Sequence, residues 1–436
     1  MAEDTGAPRR REGRPHIIPP APGWRVDAQG RPEGWPVLDD VDGALGLTLW
    51  RALRAVWTWV DTPPERRGGL SQEPTREVRE RFAYAAMEAP ELESAFGTFA
   101  MLARAADMLD GTRVAEACHV VHIWADARGL TETAVHFAEA AARADADDAL
   151  RANLAGRTCR RAGLNDRSAA WFLRAFRLAV RTRSRREAIR ALLGYGALLK
   201  ELGRHVEART VFQRAARRAE RTGRRRQAAE AYHDLLTIAA EIGTIQEAAA
   251  HFRQALRLYP SRHPYLPSLA HDFAWLLVRL HHYSAAVPLL DLVLTRTPRP
   301  AVETVVLATL ARAAACTGKV ARFQEVEPRV LQLARMHDEF APAAFIHLAE
   351  GARAFRDWGK AERYATAAIE AAHRREQSLV ESDALSLLGQ VARQEPSPRE
   401  QPVPEPEVVR ALTRRIAVRL QNWKPSRPDQ FPDPIV

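Results

Sequence analysis

The chain is poor in cysteine and in long apolar runs. Its 436 residues include three cysteines, Cys118, Cys159 and Cys316, which lie far apart and form no C-x-x-C pair. Because disulfide frameworks and cysteine-rich metal sites need paired cysteines, we expect reduced thiols in a helical core. No run of about eighteen apolar residues occurs, and the N-terminal segment lacks the apolar stretch of a signal peptide. These absences favour a cytoplasmic protein without a membrane span.

Strand signals and catalytic motifs are also absent. We find no sustained alternation of apolar and polar residues, and no Asn-Gly or Asp-Gly turn between apolar runs. The phosphate-binding motif G-x-x-x-x-G-K-[ST], the nucleophile motif G-x-S-x-G and the zinc-binding motif H-E-x-x-H do not occur. The sequence therefore predicts an all-α protein that is not an enzyme, has no catalytic residues and needs no cofactor.

One set of side chains raises the question of a metal site. Cys118, His119 and His122 share a predicted helix, and His136 lies on the next helix of the same hairpin. Cysteine and histidine are zinc ligands, but no motif fixes a carboxylate partner beside them. Alanine-rich helices commonly hold hydrogen-bonded histidines, so we expect no metal here.

Small and aromatic residues recur along the chain at a regular spacing. Ala208, Phe212 and Ala215 correspond to Ala248, Phe252 and Ala255 one period of 40 residues later. Such a period, with small residues at helical spacing, predicts stacked helical hairpins. The positions equivalent to Ala208 predict about seven hairpins and are Ala134, Ser168, Ala208, Ala248, Ala286, Phe323 and Ala361.

The repeated motif resembles the tetratricopeptide repeat. Tyr232-x2-Leu235, Gly243, Ala248-x3-Phe252-x2-Ala255 and Pro260 match that family's pattern, and the stretch from Asp357 to Ala368 is a second good match. The resemblance covers roughly residues 111–392 and implies a right-handed α-solenoid. Most periods exceed the family's usual length of about 34 residues, which indicates a long-period variant. The hairpin anchored at Phe323 lacks the small residue, and we expect it to be the most irregular.

The regions outside the array have their own compositions. We predict that residues 41–110 are N-terminal capping helices, the first with Trp50, Leu53, Trp57 and Val60 on one face. Residues 407–424 form a basic amphipathic helix that could pack back on the array, bind a partner or contact a membrane, and packing back is our expectation. The remaining segments are a disordered or extended Pro/Arg/Gly-rich tail at 1–40, a proline-rich linker at 393–406 and a proline-rich tail at 425–436.

Positive charge is concentrated inside the repeats. The chain carries a net charge of +10, yet residues 151–230 contain 22 lysines and arginines against 6 acidic residues. Residues 85–150 show the opposite balance, with 4 arginines against 12 acidic residues. A basic block of this kind favours an anionic partner.

The resemblance implies that the first helix of each hairpin lines a binding groove. Its arginine-rich part resembles the carboxylate clamp with which some tetratricopeptide proteins hold acidic peptide tails. A planar guanidinium suits that task because it can bind a carboxylate through two parallel hydrogen bonds. The alternative is a solvated face without a ligand. The implied groove residues are Asn153, Arg157, Arg160, Arg161, Arg190, Lys200, His233, Asp234, His271 and Trp275.

A second basic group lies at the junctions between hairpins. Cations near helix C-termini are favoured by the helix dipole, but ten arginines exceed what capping needs. They could also neutralise phosphates, although no aromatic residues are interleaved for base stacking. This basic edge consists of Arg181, Arg183, Arg185, Arg186, Arg217, Arg218, Arg221, Arg224, Arg225 and Arg226.

These features together predict a binding function. We expect a non-catalytic scaffold, adaptor or sensor that holds an acidic protein segment in its groove and regulates a separate effector chain. Long-period repeats of this type resemble those of bacterial signalling regulators. The alternative is a nucleic-acid-binding protein that uses the basic edge at residues 181–226. The sequence leaves the oligomeric state and the identity of the partner open.

Overall fold

The computed structural model describes residues 38–70, 74–296, 300–375, 377–398 and 406–424. Most of the predicted N-terminal tail, the centre of the predicted linker and the predicted C-terminal tail lie outside these residues. The described residues form nineteen α-helices and several short 3-10 turns, with no β-strand among them. The prediction of an all-α repeat array is confirmed.

The chain divides into two compact units. The first unit contains the described residues up to Thr158 together with Asp166–Ala191, and the second contains Cys159–Asn165 together with the described residues from Leu192 onwards. The helices that lie wholly or mostly in the first unit are α1 (Gly43–Asp61), α2 (Thr75–Glu88), α3 (Glu93–Leu102), α4 (Gly111–Ala127), α5 (Thr131–Ala144), α6 (Ala149–Arg161) and α7 (Asn165–Arg181).

The second unit continues the array. Helix α8 (Arg185–Glu201) begins in the first unit and ends in the second. The helices that follow are α9 (His205–Arg221), α10 (Arg225–Ile242), α11 (Ile245–Leu258), α12 (Leu266–Arg279), α13 (Tyr283–Leu294), α14 (Pro300–Cys316), α15 (Val320–Met336), α16 (Ala341–Ala354), α17 (Trp358–Arg374), α18 (Ser378–Ala392) and α19 (Glu407–Gln421). Seven consecutive hairpins therefore run from α4 to α17, and each predicted anchor lies on the second helix of its hairpin.

Helix α1 buries a face that differs slightly from the predicted one. Leu53 and Trp57 are buried as predicted, but Trp50 is only half-buried. Leu49 and Trp59 are fully buried instead. The Trp59 indole nitrogen donates a hydrogen bond of 2.8 Å to the carbonyl oxygen of Ala106. This bond satisfies the indole N–H inside the core, so the helix can turn a second tryptophan inward.

Glycine provides the left-handed backbone that ends several first helices. Gly203 has a φ of 72°, which a residue without a Cβ adopts at little cost. Gly243 ends α10 differently, because its φ is −108°. There the next helix starts with a capping box, in which Thr244 and Glu247 satisfy each other's backbone N–H groups. The same predicted turn is thus built in two ways.

Aromatic rings of second helices fill the space left by glycines on first helices. A Cβ added to Gly156 would lie 2.9 Å from the Phe172 ring, and one added to Gly196 would lie 2.7 Å from the Phe212 ring. Both rings therefore contact the first helix of their own hairpin. They pack inside their own hairpins because the opposite helix offers no side chain at the contact.

Two later hairpins place their aromatic residues differently. Phe252 stacks on Phe273 of the next hairpin, with ring centroids 4.1 Å apart, as expected for a ring between hairpins. Phe323 replaces the small anchor, and its ring lies where a Cβ on Gly351 would be 2.5 Å away. The small residue missing from this hairpin is therefore supplied by the following helix, α16.

Helix α19 packs back on the array, as expected, and this was one of three alternatives for the basic helix. Its buried stripe, Val409, Leu412, Ile416 and Leu420, joins the core formed with α11, α12 and α13. The Trp423 indole nitrogen donates a 3.0 Å hydrogen bond to the His263 carbonyl oxygen. The apolar face of the helix is thereby used inside the protein.

Candidate binding face

A series of polar contacts joins the first helices of successive hairpins in the second unit. We name it the polar ladder. Lys200 Nζ on α8 lies 3.2 Å from Asp234 Oδ1 on α10, and His233 Nε2 on α10 lies 2.9 Å from Asp272 Oδ2 on α12. Further steps connect α6 with α8, α10 with α12, and α12 with α14. The ladder consists of Arg160, Lys200, Glu201, His233, Asp234, Glu241, His271, Asp272, Arg279 and Thr309.

Asp272 is the most heavily bonded carboxylate of the ladder. It accepts a hydrogen bond from His233 and another, of 3.0 Å, from His271 Nδ1. Burial alone would raise the pKa of Asp272, but the hydrogen bonds and charges of the two histidines outweigh burial and hold the pKa well below its usual value. The Asp272 side chain is nevertheless 26% exposed. It is thus an ionised acceptor that a ligand can reach.

Lys200 is the central cation of the ladder. Burial alone would lower the pKa of Lys200, but Asp234, Asp272 and Glu201 outweigh burial and hold the pKa above its usual value. Its side chain remains 30% exposed. Lys200 is therefore charged and partly accessible, although a carboxylate already accompanies it.

The two arginines that α6 contributes to the predicted clamp in this unit, Arg160 and Arg161, are more enclosed. The Arg160 side chain is 11% exposed and donates to Glu201. The carbonyl oxygen of Arg161 accepts two hydrogen bonds of 3.2 Å from the Arg375 guanidinium. Burial lowers the pKa of the Arg161 guanidinium, and the charge of Glu339 opposes this shift. Neither arginine is an exposed cation.

Trp275 provides the apolar surface beside the ladder. The indole is half-buried, and the Arg279 guanidinium lies 5.4 Å from the ring centroid. Arg279 Nη1 in turn lies 3.0 Å from Glu241 Oε2. Burial raises the pKa of Glu241, which Arg279 only partly offsets. The ladder therefore combines charged groups with one accessible aromatic ring.

Three predicted groove residues belong to the first unit. Asn153 is 2% exposed, and its side-chain nitrogen donates to the carbonyl and the carboxylate of Glu187, at 3.1 and 3.0 Å. Arg190 is 8% exposed and donates two bonds of 3.1 Å to the same carboxylate. Arg157 is half-buried. Glu187, which the sequence pattern did not select, therefore holds two groups that we had assigned to a ligand.

Residues of the basic edge occur in each of the two units. In the first unit Arg181 pairs with Asp147, and Arg186 Nε lies 3.7 Å from Glu187, while Arg183 and Arg185 are exposed. In the second unit Arg225 donates to the carbonyl oxygens of Arg257 and Leu258, so it caps the end of α11.

Other arginines of the second unit's edge remain open to solvent. Arg226 pairs with Glu230 at 2.9 Å, and Arg218 is half-buried. Arg217, Arg221 and Arg224 are exposed, and no hydrogen bond or ion pair of their side chains occurs among the described residues. They lie at the end of α9 and in the turn before α10. This turn is the least neutralised cationic part of the second unit's edge.

Three of the four residues of the cysteine and histidine set, Cys118, His122 and His136, are buried, whereas His119 is half-buried. Cys118 is fully buried, and burial raises the pKa of its thiol far above the usual range. His122 Nε2 lies 3.1 Å from Thr158 Oγ1, and burial lowers the pKa of His136 to about 4. Across the described ranges, no cluster of three or more potential metal ligands was found. In the same residues, none of the helices has the length and apolar character needed to cross a membrane.

Comparison with known proteins identifies the repeat. A family model of the tetratricopeptide repeat matches residues 187–261, which span α8 to α11. No curated protein matches the chain. Among solved structures, PilF of Pseudomonas aeruginosa is 21% identical, with 51% of this chain and 91% of that chain covered and a TM-score of 0.36.

Two Rap proteins are also similar in structure. A Rap protein complexed with the competence and sporulation factor is 12% identical, with 80% of this chain and 99% of that chain covered and a TM-score of 0.43. The Rap conjugation gene regulator of plasmid pLS20, in complex with the Phr* peptide, is 14% identical. The match covers 79% of this chain and 96% of that chain, with a TM-score of 0.38.

The family match has a consequence for the class of activity. Repeats of this kind present extended surfaces for binding, so the match supports a protein–protein interaction scaffold. Residues 187–261 thus match the tetratricopeptide repeat, and they lie within an array of seven consecutive helical hairpins.

Proposed function

We propose that the protein is a non-catalytic scaffold, adaptor or sensor that binds a segment of a partner protein along the polar ladder. The main support for this proposal is that α8, α10 and α12 present charged groups beside the half-buried Trp275. Such a surface offers an extended segment both an aromatic contact and hydrogen bonds. In this proposal the bound segment regulates a separate effector chain.

The ladder gives the proposed segment a direction. Lys200 and Arg160 lie toward the α6–α8 end, whereas Asp272 and Glu241 lie toward the α10–α12 end. An acidic residue of the segment would bind near Lys200, in competition with Asp234 and Glu201. A donor group of the segment would bind near Asp272. Asn153 and Arg190 belong to the first unit and are held there by Glu187, so the proposal rests on the second unit alone.

The test uses the partner that co-purifies with the native chain, identified by mass spectrometry. Trp275→Ala should lower capture about tenfold or more, because a central aromatic anchor often dominates such an interface. Arg221→Ala, at the exposed end of α9, is the matched control and should capture the partner like the native chain. Capture that survives Trp275→Ala with an unchanged thermal melt would remove the ladder as the binding face.

A second candidate function is nucleic-acid binding by the exposed turn. The observation in its favour is that Arg217, Arg221 and Arg224 have no partner among the described residues. Phosphate binding by these three side chains would give an affinity that falls with salt, with a log–log slope of roughly −0.9 per phosphate contact on duplex DNA. Titration of generic RNA and DNA at low salt tests it, and absence of binding there eliminates this candidate.

A further inference from the structure

The start of α18 contacts two turns that lie much earlier in the chain. Just before this helix, the Arg375 guanidinium donates two hydrogen bonds of 3.2 Å to the Arg161 carbonyl oxygen. Asn165 Nδ2 in turn donates a 3.4 Å hydrogen bond to the Arg375 carbonyl oxygen. The residues of these pairs are 214 and 210 positions apart, and all three belong to the second unit. The end of the array is thereby joined to the turn between α6 and α7.

The second contact is made by Leu379, in the first turn of α18. A Cβ added to Gly203, in the turn between α8 and α9, would lie 2.5 Å from Leu379 Cβ. Gly203 also has a φ of 72°, so glycine serves both the turn and the close approach of α18. Gly223, in the turn before α10, has a similar φ of 67°, but a Cβ there would meet no atom of the described residues within 4 Å. The two glycines therefore meet the same backbone demand and differ in the contact with α18.

These contacts bring a carboxylate of the chain itself to the polar ladder. Leu379 and Asp383 are four residues apart and lie on one face of α18. Burial raises the pKa of the Asp383 carboxyl, and the charges of Arg279 and His205 oppose this shift. Arg279 is the ladder cation whose guanidinium lies 5.4 Å from the Trp275 ring centroid. Asp383 therefore lies within electrostatic reach of the cation that an acidic segment would meet beside Trp275.

Two buried polar atoms at this contact lack compensation. Arg375 Nε and His205 Nδ1 are buried, and neither has a hydrogen-bond partner among the described residues. A buried polar group without a partner costs free energy, and that cost is recovered when water reaches the group. In return the contact gains the three hydrogen bonds of Arg375 and the packing of Leu379 on Gly203. Such a balance lets the start of α18 separate from the two turns while the helices beneath stay folded.

We propose that the first two turns of α18, residues 378–385, form an autoinhibitory strap over the Arg279 end of the polar ladder. In the closed form Asp383 adds negative charge beside Arg279, which already pairs with Glu241, and this charge repels an acidic side chain that approaches Trp275. A partner segment binds when the strap is displaced and its own carboxylate replaces Asp383 beside Arg279. Because the strap controls access to the ladder, it rests on the proposed function. The opposite arrangement, in which α18 closes over a bound segment and retains it, predicts the reverse effect on binding.

The contact of the strap with Gly203 can be measured without a partner, by hydrogen exchange and mass spectrometry of the full chain. Gly203→Ala and Gly223→Ala impose a similar backbone strain, but only the first adds a Cβ that collides with Leu379. We expect Gly203→Ala to accelerate amide exchange in residues 378–385 about tenfold or more. Gly223→Ala is the matched control and should leave exchange in those residues like that of the native chain. Equal exchange in the two variants overturns the strap.

The charge of Asp383 is tested with fluorescein-labelled decaglutamate as an acidic probe, whose binding is followed by fluorescence anisotropy. Asp383→Asn removes the competing charge with little change of shape, so it should tighten binding about threefold or more. Glu381→Gln is the matched control, because Glu381 lies on the same helix but its carboxylate lies 3.2 Å from His373 Nδ1. Decaglutamate can also bind other arginines, so the gain should vanish when Asp383→Asn is combined with Arg279→Gln.

The outcomes for Asp383→Asn decide whether α18 inhibits binding or retains a bound segment. Unchanged binding, or a gain that persists together with Arg279→Gln, overturns the autoinhibitory role. Weaker binding would assign retention to α18 and would also overturn it. Failure of the proposed function appears separately, as partner capture that survives Trp275→Ala, whereas the exchange measurement reports on the strap without any partner.

Discussion

Two cations of the polar ladder, Arg160 and Lys200, lie in the same basic block of the sequence as the exposed arginines Arg217, Arg221 and Arg224. The two groups differ in whether a carboxylate accompanies them. In the ladder Lys200 has Asp234 at 3.2 Å and Arg160 has Glu201. The three arginines of the turn have no such partner among the described residues. A count of lysines and arginines gives both groups the same sign. Because carboxylates accompany the ladder cations, only the surface around Arg217, Arg221 and Arg224 is strongly cationic.

The difference concerns energy as well as charge. A partly buried cation that loses its carboxylate is left desolvated without compensation, which costs free energy. An exposed arginine remains hydrated whether or not it has a partner. Substitutions in the ladder should therefore change stability, and substitutions in the turn should change only long-range electrostatics.

The largest expected effect is at the centre of the ladder. Asp272→Ala removes the acceptor of both His233 and His271, so we expect the free energy of unfolding to fall by about 2–3 kcal/mol. Urea denaturation followed by circular dichroism measures it. Arg221→Ala is the matched control and should lose only a few tenths of a kcal/mol. Equal losses in the two variants would remove the distinction between the regions.

Acid should reduce the effect of Asp272→Ala. The pKa of Asp272 is held below its usual value, so the stabilisation is fully present above the unfolded pKa of about 3.9 and is lost as the pH falls toward the folded pKa. Below about pH 4 the difference between the native chain and Asp272→Ala should shrink, by roughly 1.4 kcal/mol per pH unit. A difference that grows as the pH falls below about 4 would contradict the ionised Asp272.

The architecture could be predicted from the sequence because each hairpin repeats its own short-range signal. The anchor Ala208 and the turn glycine Gly203 lie within a single hairpin, where local spacing decides the contact, and Ala248 is the equivalent anchor of the next hairpin. The rotation of α1 toward Trp59 could not be predicted in this way, because its hydrogen-bond acceptor Ala106 lies 47 residues away.

The site was harder to predict because its contacts join different repeats. Lys200 and Asp234 are 34 residues apart, and His233 and Asp272 are 39 apart, close to one period of the array. Opposite charges offset by one period were a usable signal in the sequence. The acceptor role of Glu187 toward Arg190 was also visible, as a spacing of three residues on one helix. The positions of the cations alone indicate neither the pairs between repeats nor the Glu187–Arg190 pair.

A double-mutant cycle would sharpen the comparison further. Lys200→Ala and Asp234→Ala should show a coupling of about 0.5–1 kcal/mol, modest because both side chains are nearly a third exposed. The cycle of Lys200→Ala with Arg221→Ala should show no coupling, since these side chains share no partner. Thermal and urea unfolding of the four proteins in each cycle provide the values. No coupling between Lys200 and Asp234 would show that their contact carries no net stabilisation.

The smallest effect is expected for the turn itself. The triple variant Arg217→Gln/Arg221→Gln/Arg224→Gln replaces three hydrated cations with neutral side chains. Each of the three substitutions should change the free energy of unfolding by less than about 0.5 kcal/mol. The same variant should flatten the salt dependence of any nucleic-acid binding by about one unit of log–log slope for each phosphate that the arginines no longer neutralise. A fall of several kcal/mol in the free energy of unfolding would mean that these arginines stabilise the fold as the ladder cations do. Unchanged stability with a flattened slope would instead show that the three arginines bind phosphates without stabilising the fold. The ladder cations differ, because they are paired with carboxylates and removing them should cost stability.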